Sequence, residues 1–125
     1  NRFCWQAAFG QPLTVWTTAM HQKRPYLDLG DAIATLVLLA REGIFDGGIY
    51  NVVTHNLTVQ HVVNEIRAHI PSLVVNLVDH QIMNTYSYDV LCDKVMGKGF
   101  VAQGSIATAV AETLALLRGA NTFSF

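Results

Sequence analysis

Arg24-Pro25-Tyr26-Leu27-Asp28-Leu29-Gly30-Asp31-Ala32 carries an extended run straight into the start of a helix. Pro25 biases the residue before it away from helical backbone, so Arg24 to Leu29 reads as extended. Asp31 is a natural N-cap, which predicts a helix over 32–41 that stops at Gly43. That helix carries Ala32, Ile33, Ala34, Leu36, Val37, Leu38, Leu39 and Ala40. It is apolar nearly all round, which predicts burial on both sides.

Short β-rich runs and helices continue to alternate on either side of this corner. Upstream, Arg2 to Phe9 has a helical pattern ended by Gly10, and Leu13-Thr14-Val15-Trp16 reads as a short strand. Residues 17–23 are polar and irregular. Downstream, the turn Asp46-Gly47-Gly48 leads into a predicted strand from Ile49 to Val53. Thr58 then caps a helix whose Val59, Val62, Val63, Ile66 and Ile70 recur in steps of three and four. Pro71 ends that helix, and Leu73 to Val78 reads as another strand. Tyr86-Ser87-Tyr88 and a helical turn near Asp93 precede a last helix capped by Ser105. It sets Ile106, Val110, Leu114 and Leu117 on one face and is closed by Gly119. Strands alternating with helices, without repeat or linker, give an α/β class and one domain over residues 1–125.

Hydrophobic residues make up 51% of the chain and charged residues only 14%. That balance fits a compact domain with a generous core, or a piece whose apolar surface packs against another part of the same polypeptide. The apolar helix over 32–41 favours the second. Eight basic and nine acidic residues are scattered to a net charge of −1, leaving no basic stripe for nucleic acid. No apolar run is long enough for a bilayer and no signal-peptide pattern is present, so the chain reads as soluble and cytoplasmic. Cys4 and Cys92 belong to no paired motif and read as reduced thiols.

Few side chains stand out as chemistry. Arg24, beside a predicted strand, could hold a phosphate through parallel hydrogen bonds, or pair with Asp28 or Asp31 and only fix the corner. Trp16 could offer its face to a base or a sugar, or fill the core edge. His61, Glu65 and His69 line one helical stripe, but it climbs ~12 Å, too far for one metal ion. It lies opposite the apolar face, where a solvated polar surface is the plainer reading. Gly97-Lys98-Gly99 fails the spacing of a dinucleotide fingerprint, and no serine sits in a nucleophile elbow. On chemistry alone the residues reveal no reaction.

Three stretches, taken in order, resemble the C-terminal half of extended short-chain dehydrogenases, the NAD-dependent epimerase/dehydratase family. Arg24 to Ala32 is similar to that family's R-D-[FY]-[IV]-H-V-x-D-[LV]-A. Gly48-Ile49-Tyr50-Asn51-Val52-Val53-Thr54-His55-Asn56 is similar to its G-x-x-Y-N-[VL]-G-x-G, followed by a helix start at Thr58-Val59. Lys94 to Phe100, then Gly104-Ser105-Ile106 and Glu112-Thr113, is similar to its C-terminal S-K-x-x-x-x-L-G-[WF]-x-P pattern and the helix after it.

The resemblance implies an α/β fold for the C-terminal substrate-binding portion of such an enzyme, with the N-terminal Rossmann part absent. It implies that Arg24 contacts the phosphates of a nucleotide-sugar. It also places Thr14, Val15 and Trp16 on the strand beside the substrate, and makes Asp31 and Asn51 structural. The implied cofactor is NAD or NADP, bound by the missing part and not by this chain. The implied partners are a sugar or nucleotide-sugar, the missing Rossmann part, and, compatibly, a second copy in a homodimer. Departures are plain. Thr17-Thr18-Ala19-Met20-His21 replaces the family's G-[DN]-G, Pro25 replaces Asp and Asp28 replaces His. Asp79-His80-Gln81-Ile82-Met83-Asn84 carries no arginine where most nucleotide-sugar members have a second phosphate-binding one. The family's catalytic tyrosine-lysine pair also fails, because Gly30, Thr54, Val90 and Cys92 stand four places beyond the tyrosines. The expectation is therefore a substrate-binding part of an NAD(P)-dependent sugar epimerase/dehydratase, inactive by itself. The alternative is a non-enzymatic binding or interaction module on the same fold.

Overall fold

The computed structural model of the chain describes residues 2–79 and 86–120. Helix α1 (Arg2–Ala8) ends at Gly10, whose φ of +67° is a left-handed turn that favours glycine. Strand β1 (Leu13–Trp16) follows. Its alternation of Leu, Thr, Val and Trp buries Leu13 and Val15 and leaves Thr14 and Trp16 exposed. A 3₁₀ turn over Thr17–Ala19 then reaches β2 (Lys23–Tyr26). Next come α2 (Leu29–Arg41), β3 (His55–Thr58), α3 (Val59–His69), β4 (Val75–Val78), α4 (Asp93–Met96) and α5 (Ile106–Ala120).

Two small sheets organise these elements. β1 pairs in parallel with β4, Leu13 opposite Val75 and Trp16 opposite Val78. β2 pairs antiparallel with β3, Arg24 opposite Leu57 and Tyr26 opposite His55. The core fills the space between α1, α3, α5 and β1, with Leu13, Val63, Ile66 and Leu114 at its centre. Helix α3 keeps the predicted apolar face: Thr58 Oγ1 accepts from His61 N, and Val62, Val63 and Ile66 are buried. In α5, Val110 and Leu114 are buried, while Ile106 and Leu117 pack partly against the core.

Several expectations are corrected. Asp28, not Asp31, caps α2, its carboxylate accepting from Gly30 N at 2.8 Å, so the helix starts at Leu29. Asp31 is inside the first turn and almost fully buried. The expected burial of α2 on both sides is not met within the described residues, which cover one side of it. Its buried residues are Asp31 and Thr35, whereas Leu29 is 75%, Leu36 68%, Val37 56% and Ile33 54% exposed. No described element covers that stripe. The predicted strand over 49–53 is not formed. β2 is only four residues long, antiparallel pairing with His55–Thr58 uses all of it, and the chain turns into α2 where pairing with residues before His55 would continue. Ile49 instead accepts from Lys94 Nζ at 3.1 Å. The strand over Leu73 to Val78 begins two residues late, at Val75, and α5 runs through Gly119 to Ala120. Among the described residues no helix is long and apolar enough to cross a membrane.

Candidate functional site

Four candidate residues, Thr14, Val15, Trp16 and Arg24, line one cleft of about 560 Å³. β1 supplies the first three, and among the described residues it pairs only with β4. Val15 is buried and contributes to the cleft floor, while the Trp16 ring is about half exposed. β2 supplies Arg24. Helix α1 closes the cleft with Arg2, Phe3 and Gln6.

Arg24 is held from several directions. Nη1 donates to the carbonyls of Lys23 at 2.8 Å and Tyr86 at 2.6 Å, and Nη2 donates to Gln22 Oε1 at 2.6 Å. The guanidinium also lies over the Tyr88 ring, 5.6 Å from its centroid. A guanidinium carries five N–H donors. Three are used in these bonds, which leaves donors for a ligand without releasing the side chain. The expected alternative, pairing with Asp28 or Asp31, is not what forms. Asp28 caps α2, and Asp31 accepts from Thr54 Oγ1 at 2.7 Å and from the amides of Gln103 and Gly104 at 2.9 and 3.2 Å. Burial alone would push the Asp31 carboxyl up. Those hydrogen bonds, with the charge of His55 nearby, outweigh it and hold the group below the ordinary carboxylate value.

Sequence reasoning missed Gln22, Tyr86 and Tyr88 as supports of Arg24, and Arg2 and Gln6 as cleft walls. Gln22 lies two residues from Arg24 and was legible as a near neighbour; a backbone carbonyl 62 residues away was not. Gln6 adds a peculiarity. Nε2 donates to the Pro12 carbonyl at 3.4 Å, and the buried Oε1 accepts no hydrogen bond among the described residues.

Among the described residues, the other groups assemble no reactive centre. Tyr50 donates to Asp46 Oδ2 at 2.7 Å, and the Lys94 ammonium lies 4.1 Å from its ring centroid. That looks like a tyrosine-lysine pair, but the bond to Asp46 pushes the hydroxyl up, away from a proton-accepting phenolate. A smaller cavity of about 130 Å³ touches Cys4, Tyr26 and His55. Burial pushes both the Cys4 thiol and the Tyr26 hydroxyl up, so neither is an activated nucleophile. Cys4 and Cys92 are free thiols. His61 and Glu65 approach to 3.5 Å as an exposed pair, and no cluster of three metal-ligating side chains forms among the described residues. Gly97-Lys98-Gly99 follows a four-residue helix, so these glycines do not form the strand-to-helix turn that cradles a dinucleotide pyrophosphate. Of the stretch expected to lack a second arginine, Asp79 to Asn84, residues 80–84 lie outside the described residues.

Neither a family model nor a curated protein matches the sequence. Solved structures do. The chain is similar to the UDP-glucose 4-epimerase of Thermus thermophilus in complex with NAD, at 20% identity and a TM-score of 0.77, over 95% of this chain and 39% of that one. It is similar to a GalE-like L-threonine dehydrogenase from Cupriavidus necator (holo form), at 22% identity and a TM-score of 0.75, over 91% of this chain and 40% of that one. It is also similar to the UDP-N-acetylglucosamine 4-epimerase from Bacillus cereus, at 26% identity and a TM-score of 0.67, over 95% of this chain and 40% of that one. The chain thus spans about 40% of the length of the structures it matches. Its fold is that of the C-terminal part of NAD-dependent epimerase/dehydratase-type chains, the extended short-chain dehydrogenases.

Proposed function

We propose that residues 1–125 are one substrate-binding domain of an NAD(P)-dependent sugar epimerase/dehydratase of the cytoplasm, acting on a nucleotide-sugar. An N-terminal Rossmann part supplies the cofactor site and the tyrosine-lysine pair. NAD(P) bound there would supply the hydride chemistry. This chain's own residues bind and orient. Arg24, fixed by Gln22 and the Tyr86 carbonyl, holds the anionic group. Trp16 offers a ring to the base or sugar, and Thr14 adds a hydroxyl at the rim. Alone, the chain turns nothing over and binds ligand weakly.

The observation that carries this reading is the cleft itself. It gathers all four candidates, with two arginines and no carboxylate among the described residues of its lining. The bare apolar stripe of α2 supports the second half of the reading. With matched chains about two and a half times as long, the Rossmann part is the occupant that would cover Leu29, Ile33, Leu36 and Val37.

Titrating the chain with UDP-glucose, followed by tryptophan fluorescence and amide chemical shifts, tests it. The expected result is millimolar binding weakened severalfold by Arg24→Ala, and no NAD(P)-dependent turnover. Turnover from these residues alone, or binding indifferent to Arg24, would overturn it. Binding of UDP-glucose by a longer protein that lacks a cofactor site would favour the non-enzymatic module instead.

A further inference from the structure

We propose that Tyr88 is a positioning residue for Arg24: its ring steadies the plane of the guanidinium, and the docked segment from Tyr86 to Val90 steadies the ring. This rests on the reading of Arg24 as the anion contact of the cleft, and gives a role to a side chain that does not line the cleft.

The hydrogen bonds on Arg24 leave one freedom open. Nη1 donates to the carbonyls of Lys23 and Tyr86, and Nη2 donates to Gln22 Oε1. The N–H groups of a guanidinium all point outward in its own plane, so these partners grip it at the edge. They resist sliding and rotation within the plane. Tilting the plane costs them less, because hydrogen bonds accept a broad range of directions at a carbonyl oxygen. The Tyr88 ring lies on the face instead, with Cζ of Arg24 5.6 Å from its centroid. There the attraction of the cation to the ring opposes the tilt. The donors left for a ligand are Nε–H and one N–H of Nη2. Both bonds to an anion depend on the orientation of the plane, so tilt is the motion that would misdirect them.

The ring is itself placed by anchors on either side of it in the chain. Before it, Ser87 Oγ accepts from Lys23 N at 3.0 Å. After it, Asp89 Oδ2 pairs with Lys23 Nζ at 3.0 Å. One residue further, Val90 and the Asn56 amide exchange two bonds, Nδ2 donating to the Val90 carbonyl at 3.0 Å and Val90 N donating to Oδ1 at 2.9 Å. Lys23 and Arg24 are on β2 and Asn56 is on β3, so the segment is docked on this two-stranded sheet. Tyr88 is half-exposed and takes no part in the core.

The test uses the 125-residue chain with Tyr88→Leu, Tyr88→Phe and Arg24→Ala. Leucine keeps apolar bulk and removes the ring face, and phenylalanine keeps the face. Arg24 side-chain signals are followed by NMR, and UDP-glucose affinity by tryptophan fluorescence. In the parent chain and in Tyr88→Phe, the Arg24 Nε–H signal should be displaced by the ring current and the guanidinium should rotate slowly. Tyr88→Leu should remove the displacement, speed the rotation and weaken UDP-glucose about two- to fivefold, the range for an exposed cation–ring contact. Thermal midpoints should stay together, because the ring lies outside the core. Unmoved Arg24 signals in Tyr88→Leu would overturn the inference, as would an affinity loss in Tyr88→Phe equal to that in Tyr88→Leu. If Arg24→Ala weakens UDP-glucose while Tyr88→Leu does not, the inference falls and the substrate cleft stands. If Arg24→Ala leaves the affinity unchanged, both fall together.

Discussion

Helices α2 and α3 are of similar length, 13 and 11 residues, and solve opposite problems. α3 turns Val62, Val63 and Ile66 inward and leaves His61 and Asn64 outside. α2 does the reverse: its buried residues are polar, and its stripe of Leu29, Ile33, Leu36 and Val37 faces outward. The inward face of α2 is stable because its polar groups are satisfied. Asp31 receives three hydrogen bonds, and Thr35 Oγ1 donates to the Asp31 carbonyl at 2.8 Å. α3 is therefore held by the hydrophobic effect and α2 by a polar latch. Among the described residues, the apolar face outside that latch has no covering element.

The largest effect should come from breaking the α3 side. Ile66 has no exposed surface, and Ile66→Ala should cost roughly 2–5 kcal/mol in urea unfolding, through lost burial and the cavity left behind. Breaking the latch should cost less. Asp31→Asn turns one acceptor into a donor facing the amide of Gln103 or Gly104, for a loss of about 1–3 kcal/mol. The latch also has a pH signature that the α3 core lacks. The Asp31 pKa is depressed in the folded chain, so the unfolded chain binds its proton more readily. Its contribution is full above the ordinary carboxylate pKa, and is lost as pH falls from there through the depressed folded value. Acid titration of stability should be shallower in Asp31→Asn than in the parent chain.

The same contrast explains how much could be read from the sequence. α3 was legible entire, because its cap at Thr58 and its steps of three and four are local and agree with each other. α2 was legible as a helix but not in its orientation. An all-round apolar pattern says that a face will be covered, never by which chain. Its cap was misplaced because Leu27-Asp28-Leu29-Gly30-Asp31 offers two aspartates, and only the fold, by bringing Thr54 and residues 103–104 to Asp31, separates their roles. The strand expected over 49–53 failed for a similar reason, since β propensity cannot report that the available partner edge is four residues long. The candidate site divides in the same way. Arg24 and Trp16 stand out as residue types and the resemblance adds Thr14 and Val15, while Gln6 and the Tyr86 carbonyl enter only through long-range closure.

Gln6 sharpens the comparison from the other direction. Where α2 buries polar atoms that are satisfied, α1 buries Gln6 Oε1 unsatisfied. Gln6→Met keeps the length of the side chain and removes the orphaned acceptor. It should raise stability by about 1 kcal/mol, read as an upward shift of the urea midpoint. A fall in stability would mean that the Nε2 contact with Pro12 matters more than the orphaned oxygen costs.

The smallest effect belongs to the exposed stripe, and its smallness is informative. Leu36 is 68% exposed, so Leu36→Glu should alter the stability of this chain by no more than about 0.5 kcal/mol, against severalfold that for Ile66→Ala. Two further measurements decide what the stripe is for. If it is a bare interface, the chain should self-associate as concentration rises, and Leu36→Glu with Ile33→Glu should reduce that association in sedimentation velocity. Joined to the proposed Rossmann part, the same pair should become costly, because two charges would then enter a desolvated contact with no partner. A pair of substitutions that is silent in the short chain and damaging in the long one locates the missing neighbour on α2. Silence in both would leave the stripe as ordinary exposed surface and return α2 to the role of a latch alone.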